Sequence, residues 1–236
     1  MNINKLINLA TENGLVYRGG FSVTKEDNVP SQIGGQPSQT LLLFGQTGDT
    51  LWSVFNQSLE LADGLPHPLD RWSGRVGQSI ARKLDGKLLL PFGEAPHHPF
   101  IRWASRIEDV QPSRLGMLIH PDHGLWHAYR FAIAIAGHIE GLPTVETRGN
   151  ICDQCQSQPC LKKCPVNAFD GTRYEVTACF NYLQDNPESS CHSSGCQARD
   201  ACPEGAQSHY LVEQKQFHMK QFTLALHERF DQGMNS

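Results

Sequence analysis

Eight cysteines, all between Cys152 and Cys202, constrain the fold and chemistry of this chain more than any other feature. The first 151 residues of the 236-residue chain contain none. Disulfide frameworks are typical of small secreted domains, in which cysteines occur throughout the sequence. Because these thiols are confined to one late segment, we expect them to be metal ligands in a protein of a reducing compartment, the cytoplasm.

The cysteines form an imperfect internal repeat. They are Cys152, Cys155, Cys160, Cys164, Cys179, Cys191, Cys196 and Cys202. Each half ends on Cys-Pro-x-x-Ala, at 164–168 and at 202–206. Each half also has one pair of cysteines with four residues between them, at 155/160 and 191/196. A 4Fe-4S cluster takes one thiolate on each iron, so two sets of four thiolates suit two 4Fe-4S clusters.

Three other interpretations of the thiols remain open. Structural zinc also accepts Cys-x2-Cys followed by two further thiols, although it does not require a duplicated Cys-Pro. Disulfides are the second interpretation, and a single cluster with spare thiols is the third. In that third case His192, the one histidine within the motif, could replace a thiolate.

The segment Ile151–Tyr210 resembles the bacterial two-cluster ferredoxins. In that family the cysteine before proline in one motif ligates the cluster of the other motif. The resemblance therefore implies two ligand sets. They are Cys152, Cys155, Cys160 and Cys202 for one cluster, and Cys179, Cys191, Cys196 and Cys164 for the other. The spacings depart from the family pattern, with four residues rather than two at 155/160, eleven at 179/191 and five rather than three at 196/202.

Composition changes near residue 146, and we expect two domains, 1–146 and 147–236. Before the boundary, short apolar runs alternate with stretches of helical periodicity, which is typical of a sheet layered with helices. The expected strands are Thr40–Phe44, Lys87–Pro91, Leu115–Ile119 and His127–Gly137, and the expected helices are Asn2–Thr11, Asp49–Leu61 and Leu69–Leu84. The second domain is expected to be small, cysteine-rich and closed by a helix over Val212–Phe230. The predicted fold class is therefore α+β.

The stretch from Ile119 to Arg130 carries a second pattern, Ile-His-Pro-x-x-Gly-x-Trp-x-Ala-x-Arg. It resembles the CblC-type cobalamin-processing family, whose members share a nitroreductase-like α/β fold, and Pro68-Leu69-Asp70 is a shorter match. That family cradles a corrinoid whose lower base is displaced, and reduces or dealkylates it. A CblC-like domain followed by a ferredoxin-like domain is also similar to the layout of epoxyqueuosine reductases and reductive dehalogenases.

This resemblance implies four cofactor-binding residues. They are His120, Trp126, Tyr129 and Arg130. Trp126 and Tyr129 offer flat apolar surface for a macrocycle, and Arg130 could pair with a phosphate or carboxamide. Core packing explains the two aromatic residues equally well. The spacing of His120, His123 and His127 leaves a histidine metal site open.

Charge and hydropathy narrow the range of partners. The formal net charge is −4, which gives no electrostatic reason to bind nucleic acid or an anionic membrane. No segment approaches the roughly 20 apolar residues of a transmembrane helix.

We therefore predict an iron–sulfur redox protein, and a possible corrinoid-dependent oxidoreductase. Its clusters would relay single electrons from an electron donor protein or reductase to a corrinoid, or a flavin, in the first domain. The alternatives are a non-enzymatic electron carrier whose first domain docks a partner, and a zinc-bound structural module. Spacing alone assigns no general acid or base.

Overall fold

The computed structural model describes residues 3–233. Its strands are β1 (Val16–Ser22), β2 (Thr40–Thr47), β3 (Gly86–Leu89), β4 (Gln111–Pro112), β5 (Leu118–Ile119) and β6 (His127–Ile135). Its α-helices are α1 (Ile3–Thr11), α2 (Trp52–Phe55), α3 (Leu59–Ala62), α4 (Pro68–Lys83), α5 (Phe100–Ser105), α6 (Ile151–Gln154), α7 (Pro159–Lys162), α8 (Val176–Asp185), α9 (Ser190–Ser193), α10 (Gln197–Asp200) and α11 (Val212–Gly233). The fold is a mixture of helices and strands.

The chain divides into two compact units. The first contains the described residues up to Val110 together with His127–Arg148. The second contains Gln111–Trp126 together with the described residues from Gly149 onwards. The segment Gln111–Trp126, which the composition change near residue 146 groups with the first domain, therefore lies in the unit that contains the cysteines. Among residues 3–233, no helix combines the length and the apolarity that crossing a membrane would demand.

The first unit is built on a four-stranded antiparallel sheet with the order β1-β2-β6-β3. The central strands β2 and β6 pair from Thr40 with Ile135 to Thr47 with His127. Every residue of β2 from Thr40 to Gln46 is buried. Because successive side chains of a strand point to opposite faces, helices and loops must cover both faces of this sheet.

Helix α5 covers one face and helix α4 covers the other. On the α5 side, Trp103 is fully buried against Leu41 and Leu43 of β2. On the α4 side, Gly77 lies so near the sheet that an added Cβ would be 2.6 Å from Leu88 Cδ1 and 3.1 Å from the Phe131 ring. The absence of a side chain at position 77 therefore allows the close approach of α4.

Several predicted elements are confirmed, and others differ. The strand beginning at His127 and the helix beginning near Leu69 are present as β6 and α4. The single helix predicted over Asp49–Leu61 is wrong, because the chain forms α2 and α3 with Ser58 between them. The Ser58 Oγ accepts the Leu61 N–H at 3.3 Å and begins a new helix there. The strand predicted at Leu115–Ile119 is limited to the two residues of β5.

Two elements of the first unit have no counterpart among the predicted ones. Strand β1 contains Gly19 and Gly20, which interrupt the apolar alternation that identifies a strand. Helix α5 has six residues, too few to establish a helical period.

The second unit packs short helices around an apolar core that includes cysteine side chains. Leu115, Ile119 and Leu125 share this core with Cys164 and Cys202. Helix α11 contacts α8 and α9. The closing helix predicted over Val212–Phe230 is confirmed as α11.

Candidate metal centre

Four thiols of the second unit form what we call the first cysteine set: Cys152, Cys155, Cys160 and Cys202. Cys152 lies in α6, which Asn150 caps by accepting the Cys152 N–H at 3.0 Å. Burial raises the pKa of the Cys160 thiol, and the charges of Cys152 and Cys155 raise it further. Burial also raises the pKa of Cys202 to about 11, with added contributions from Cys160 and Cys152. The three thiols of one loop and the distant Cys202 are therefore electrostatic neighbours.

All four thiols of the first cysteine set line one open cavity. Its apolar wall is formed by Ile119, Ile151, Pro159 and Pro203. Sulfur donors within an apolar wall suit soft metal centres, including iron–sulfur clusters.

The other four thiols form the second cysteine set: Cys164, Cys179, Cys191 and Cys196. Burial raises the pKa of Cys179, Cys191 and Cys196, and the charge of Cys164 raises each of these values further. Cys164 Sγ accepts the N–H of Ala168 at 3.3 Å. The Tyr174 hydroxyl donates a hydrogen bond to Cys179. This set also unites residues that are distant in the sequence.

Each cysteine set combines cysteines from both halves of the internal repeat. Cys202, which precedes Pro203 in the second half, lies with three cysteines of the first half, and Cys164 lies with the cysteines of the second half. The resemblance to ferredoxins groups the cysteines in the same way, and their role as cluster ligands stays a prediction. All eight cysteines are free thiols.

The donor sets fit a 4Fe-4S cluster in number and in kind. Within residues 3–233, no three His, Cys, Asp or Glu side chains gather around one point as the ligands of a single metal ion do. A cluster takes one thiolate on each of four irons. Because burial raises the thiol pKa values, metal binding must displace protons from these sulfurs.

The His-Pro-x-x-Gly turn packs against the chain that follows Cys202. Gly124 has a φ of 55°, and an added Cβ there would lie 1.9 Å from the Glu204 carbonyl oxygen. Glycine is therefore needed for both conformation and space. His123 Nδ1 lies 3.0 Å from Ser208 Oγ. The turn thus supports the loop that carries the fourth thiol of the first cysteine set.

His120 and Trp126, two of the predicted cofactor-binding residues, lie in the second unit. His120 is buried, and its Nδ1 accepts the N–H of Asp122 at 3.0 Å. The Trp126 side chain is also buried. Its ring lies 4.4 Å from the His209 ring and 4.4 Å from Arg199 Cζ. Side chains of its own unit therefore cover the Trp126 ring.

Tyr129 and Arg130, the other two predicted residues, lie on β6 in the first unit. The Tyr129 hydroxyl donates to Glu108, and burial, assisted by the Glu108 charge, raises the Tyr129 pKa. Arg130 Nη2 lies 2.9 Å from Asp70 Oδ1, and Arg130 Nε lies 3.2 Å from Ser73 Oγ. The polar groups of both residues thus have partners within the first unit. The four residues are therefore divided between two units.

Sequence reasoning misses a buried polar network in the first unit. The Arg18 guanidinium donates to both oxygens of Glu108, at 2.8 and 2.6 Å. Gln46 is fully buried on β2, beside Ala128 of β6, and neither atom of its amide has a hydrogen-bond partner among the described residues. Leaving such a group unsatisfied costs about 1–3 kcal/mol. A buried glutamine or arginine leaves no periodic signal in a sequence, so only the fold reveals these residues.

Comparison with known proteins identifies similar folds. No protein-family model and no curated protein matches the chain. A solved structure of a C. elegans B12-trafficking protein, CblC, described as a human MMACHC homologue, matches with a TM-score of 0.51 and 14% identity. The match covers 92% of this chain and 90% of that protein. The chain therefore has a CblC-like fold.

Two structures of epoxyqueuosine reductase also match, with lower scores. The complex with a tRNA-Tyr stem loop gives a TM-score of 0.41 and 12% identity over 74% of this chain and 51% of that one. The selenomethionine-labelled enzyme gives 0.38 and 12% over 76% and 52%. The chain spans about half the length of these two structures.

Proposed function

We propose that the protein binds two 4Fe-4S clusters in its second unit. These clusters relay single electrons to a corrinoid, or a flavin, held by the first unit. The protein would then act as a cobalamin-related reductase that receives electrons from a donor protein or reductase.

The observation that carries this proposal is the division of eight thiols into two sets of four. Each set joins three neighbouring cysteines to one cysteine from the other half of the repeat. Such a crossed arrangement is how two-cluster ferredoxins complete their ligand sets. A structural zinc site requires no such exchange between motifs.

Bound clusters of this kind supply one-electron transfer. The chain contributes thiols that lose their protons on binding, and N–H and O–H groups that stabilise the thiolates. Asn150 orders the first turn of the Cys152 loop, and Tyr174 donates to Cys179. Hydrogen bonds to the sulfurs are among the factors that set cluster potentials.

Two observations support the corrinoid in this proposal. The first is the fold, since the similar C. elegans structure is that of a B12-trafficking protein. The second is Gln46, whose buried amide has no partner within the described chain. An amide in that state can donate to and accept from the carboxamide groups that fringe a corrinoid.

A non-enzymatic electron carrier is the second candidate. Tyr129 and Arg130 favour it, because their polar groups already bind Glu108 and Asp70. In that case the first unit would dock a partner instead of holding a cofactor.

The cluster assignment is tested by anaerobic purification followed by iron and sulfide analysis and electron paramagnetic resonance. About eight irons per chain are expected from two clusters. Cys155→Ser should remove about half of the iron, whereas the control Ser105→Ala, at an exposed serine of the first unit, should retain all of it. Iron-free protein, or an unchanged iron content in Cys155→Ser, would refute the assignment.

The cofactor assignment is tested by separate anaerobic titrations with cobalamin and with flavin. Gln46→Leu should weaken binding of the true cofactor by up to about tenfold, the loss of roughly 0.5–1.5 kcal/mol of hydrogen bonding. The exposed Gln36 provides the control Gln36→Leu. If wild-type protein binds neither cofactor, the electron carrier becomes the better description.

A further inference from the structure

Trp126 lies at the centre of a cationic cluster in the second unit. Its side chain is 1% exposed. Arg199 Cζ lies 4.4 Å from the ring centroid, and Lys215 Nζ lies 4.9 Å from it. Contacts of this kind stabilise a cation, most strongly in desolvated surroundings. Trp126 therefore holds two positive charges in a water-poor part of the unit.

The two cations differ in how their charge is balanced. Lys215 Nζ lies 2.5 Å from Asp200 Oδ1, so a carboxylate neutralises it. Arg199 Nη2 donates to the Leu125 carbonyl oxygen at 2.6 Å, which is a neutral partner. Within the described part of the chain, no ion pair neutralises Arg199. The positive charge of Arg199 is therefore not offset by a carboxylate, and it contributes to the electrostatic potential at neighbouring groups.

Cys196 of the second cysteine set lies one helical turn before Arg199. Arg199 lies in α10, and Cys196 is the residue that caps that helix. Burial raises the Cys196 pKa, whereas the N–H groups of Arg199 and Ala198, and the Arg199 guanidinium, lower it. Tyr210 holds the guanidinium from a further direction, with its ring centroid 4.7 Å from Arg199 Cζ. Packing against Trp126 and Tyr210 therefore fixes the position of the guanidinium.

We propose that Trp126 and Arg199 form a positioning pair that raises the reduction potential of the cluster held by the second cysteine set. The inference rests on the proposed function, because it requires that cluster. Reduction adds one negative charge to a cluster, and net charge is a known determinant of its potential. A fixed, unneutralised cation close to one ligand stabilises the reduced form more than the oxidised form.

The first cysteine set has the opposite local charge. Glu204 lines the open cavity that the four thiols of the first cysteine set share. Arg114, the other charged side chain of that lining, is paired with Asp153 at 2.9 Å. The same reasoning predicts that Glu204 lowers the potential of the cluster in the first cysteine set. Arg199 and Glu204 would therefore act on different clusters, with opposite signs.

Anaerobic redox titration followed by electron paramagnetic resonance tests the inference on the full chain. Arg199→Gln should shift the one-electron equilibrium of one cluster about tenfold toward the oxidised form, a potential about 59 mV lower. Arg199→Lys keeps the charge but loses the planar stacking group, so its shift should be smaller. Trp126→Leu should shift the same cluster in the same direction. Arg229→Gln removes an exposed arginine from α11 and should leave both potentials unchanged.

A Cys155→Ser background identifies which cluster responds. It leaves only the second cysteine set with four thiols, and the Arg199→Gln shift should persist there. In that background Glu204→Gln should leave the potential of the remaining cluster unchanged. In the otherwise wild-type chain it should raise the potential of the cluster in the first cysteine set.

The possible outcomes separate this inference from the proposed function. Wild-type protein without cluster signals refutes the proposed function, and the inference with it. If both clusters are present but neither reduction potential changes between wild type, Arg199→Gln and Arg199→Lys, the inference is refuted and the proposed function stands. If Arg199→Gln fails to assemble the second cluster, Trp126→Leu decides, because an unchanged potential in that variant would refute the inference.

Discussion

The Arg18 side chain is 1% exposed, so its positive charge depends on a partner within the protein. Glu108 supplies that partner and also accepts the Tyr129 hydroxyl. Desolvating a guanidinium is expensive, and a paired carboxylate with further hydrogen bonds offsets the penalty. Glu108 is therefore the residue on which the buried polar network of the first unit depends.

Glu108→Gln should lower the free energy of unfolding by roughly 3–5 kcal/mol, the usual effect of leaving one buried charge unpaired. Guanidinium chloride denaturation measures this loss. Glu12→Gln is the control, because Glu12 and Lys83 form an exposed pair at 3.9 Å. Its effect should stay within about 0.5 kcal/mol. Equal losses in the two variants would contradict the role of burial.

The Cys202 thiol predicts an alkaline loss of stability in metal-free protein. Its folded pKa, about 11, is above the unfolded value near 8.5 because burial disfavours the thiolate. The folded state therefore binds the proton more tightly, and the stabilisation present below about pH 8.5 is lost as pH rises toward about 11. Denaturation midpoints across this range should fall in wild type. They should fall less in Cys202→Ala. The same dependence of midpoint on pH in both proteins would contradict the role of the Cys202 thiol.

Helix α4 shows how one missing side chain sets the distance between a helix and a sheet. Gly77→Ala should destabilise the first unit by about 1–3 kcal/mol through overpacking against Leu88 and Phe131. Gly74→Ala on the same helix meets open space and should stabilise it by about 1 kcal/mol through helix propensity. Urea denaturation of both variants should therefore give shifts of opposite sign. Shifts of the same sign would argue against close packing at position 77.

Elements with a strong internal period could be predicted from the sequence, and elements fixed by tertiary contacts could not. Helix α4 repeats its buried residues every three or four positions, and its period is visible without a partner. Strand β1 contains two consecutive glycines and is identified only by its pairing with β2. The break between α2 and α3 depends on a single cap at Ser58, which a helical pattern does not reveal.

Part of the candidate site could likewise be predicted from the sequence, and part could not. The cysteines could be singled out because their loop spacings are local and chemically specific. The position of Arg199 over Trp126 could not, because it joins residues that are distant in the chain and follows no period. The four residues assigned from the CblC-like pattern lie in two units, since the chain leaves the first unit after Val110 and returns at His127.

At the scale of the whole molecule, the unit that contains the cysteines is discontinuous in sequence. A fragment of residues 147–236 lacks Leu115, Ile119 and Leu125, which belong to its core. Losing a large core side chain costs about 2–5 kcal/mol, so three such losses reach the typical stability of a domain, about 5–15 kcal/mol. The fragment should show no cooperative unfolding and should retain little iron. Fragment 111–236 keeps Gln111–Trp126 and should retain more iron than fragment 147–236. Equal iron in the two fragments would contradict the assignment of that segment to the second unit.

The turn at Gly124 has a consequence for biosynthesis. Its backbone fits against that of Glu204 and Gly205, residues that the ribosome adds only after all eight cysteines. Until then Leu115, Ile119 and Leu125 lack part of the core that buries them. The second unit can therefore complete its core only after synthesis has passed residue 205.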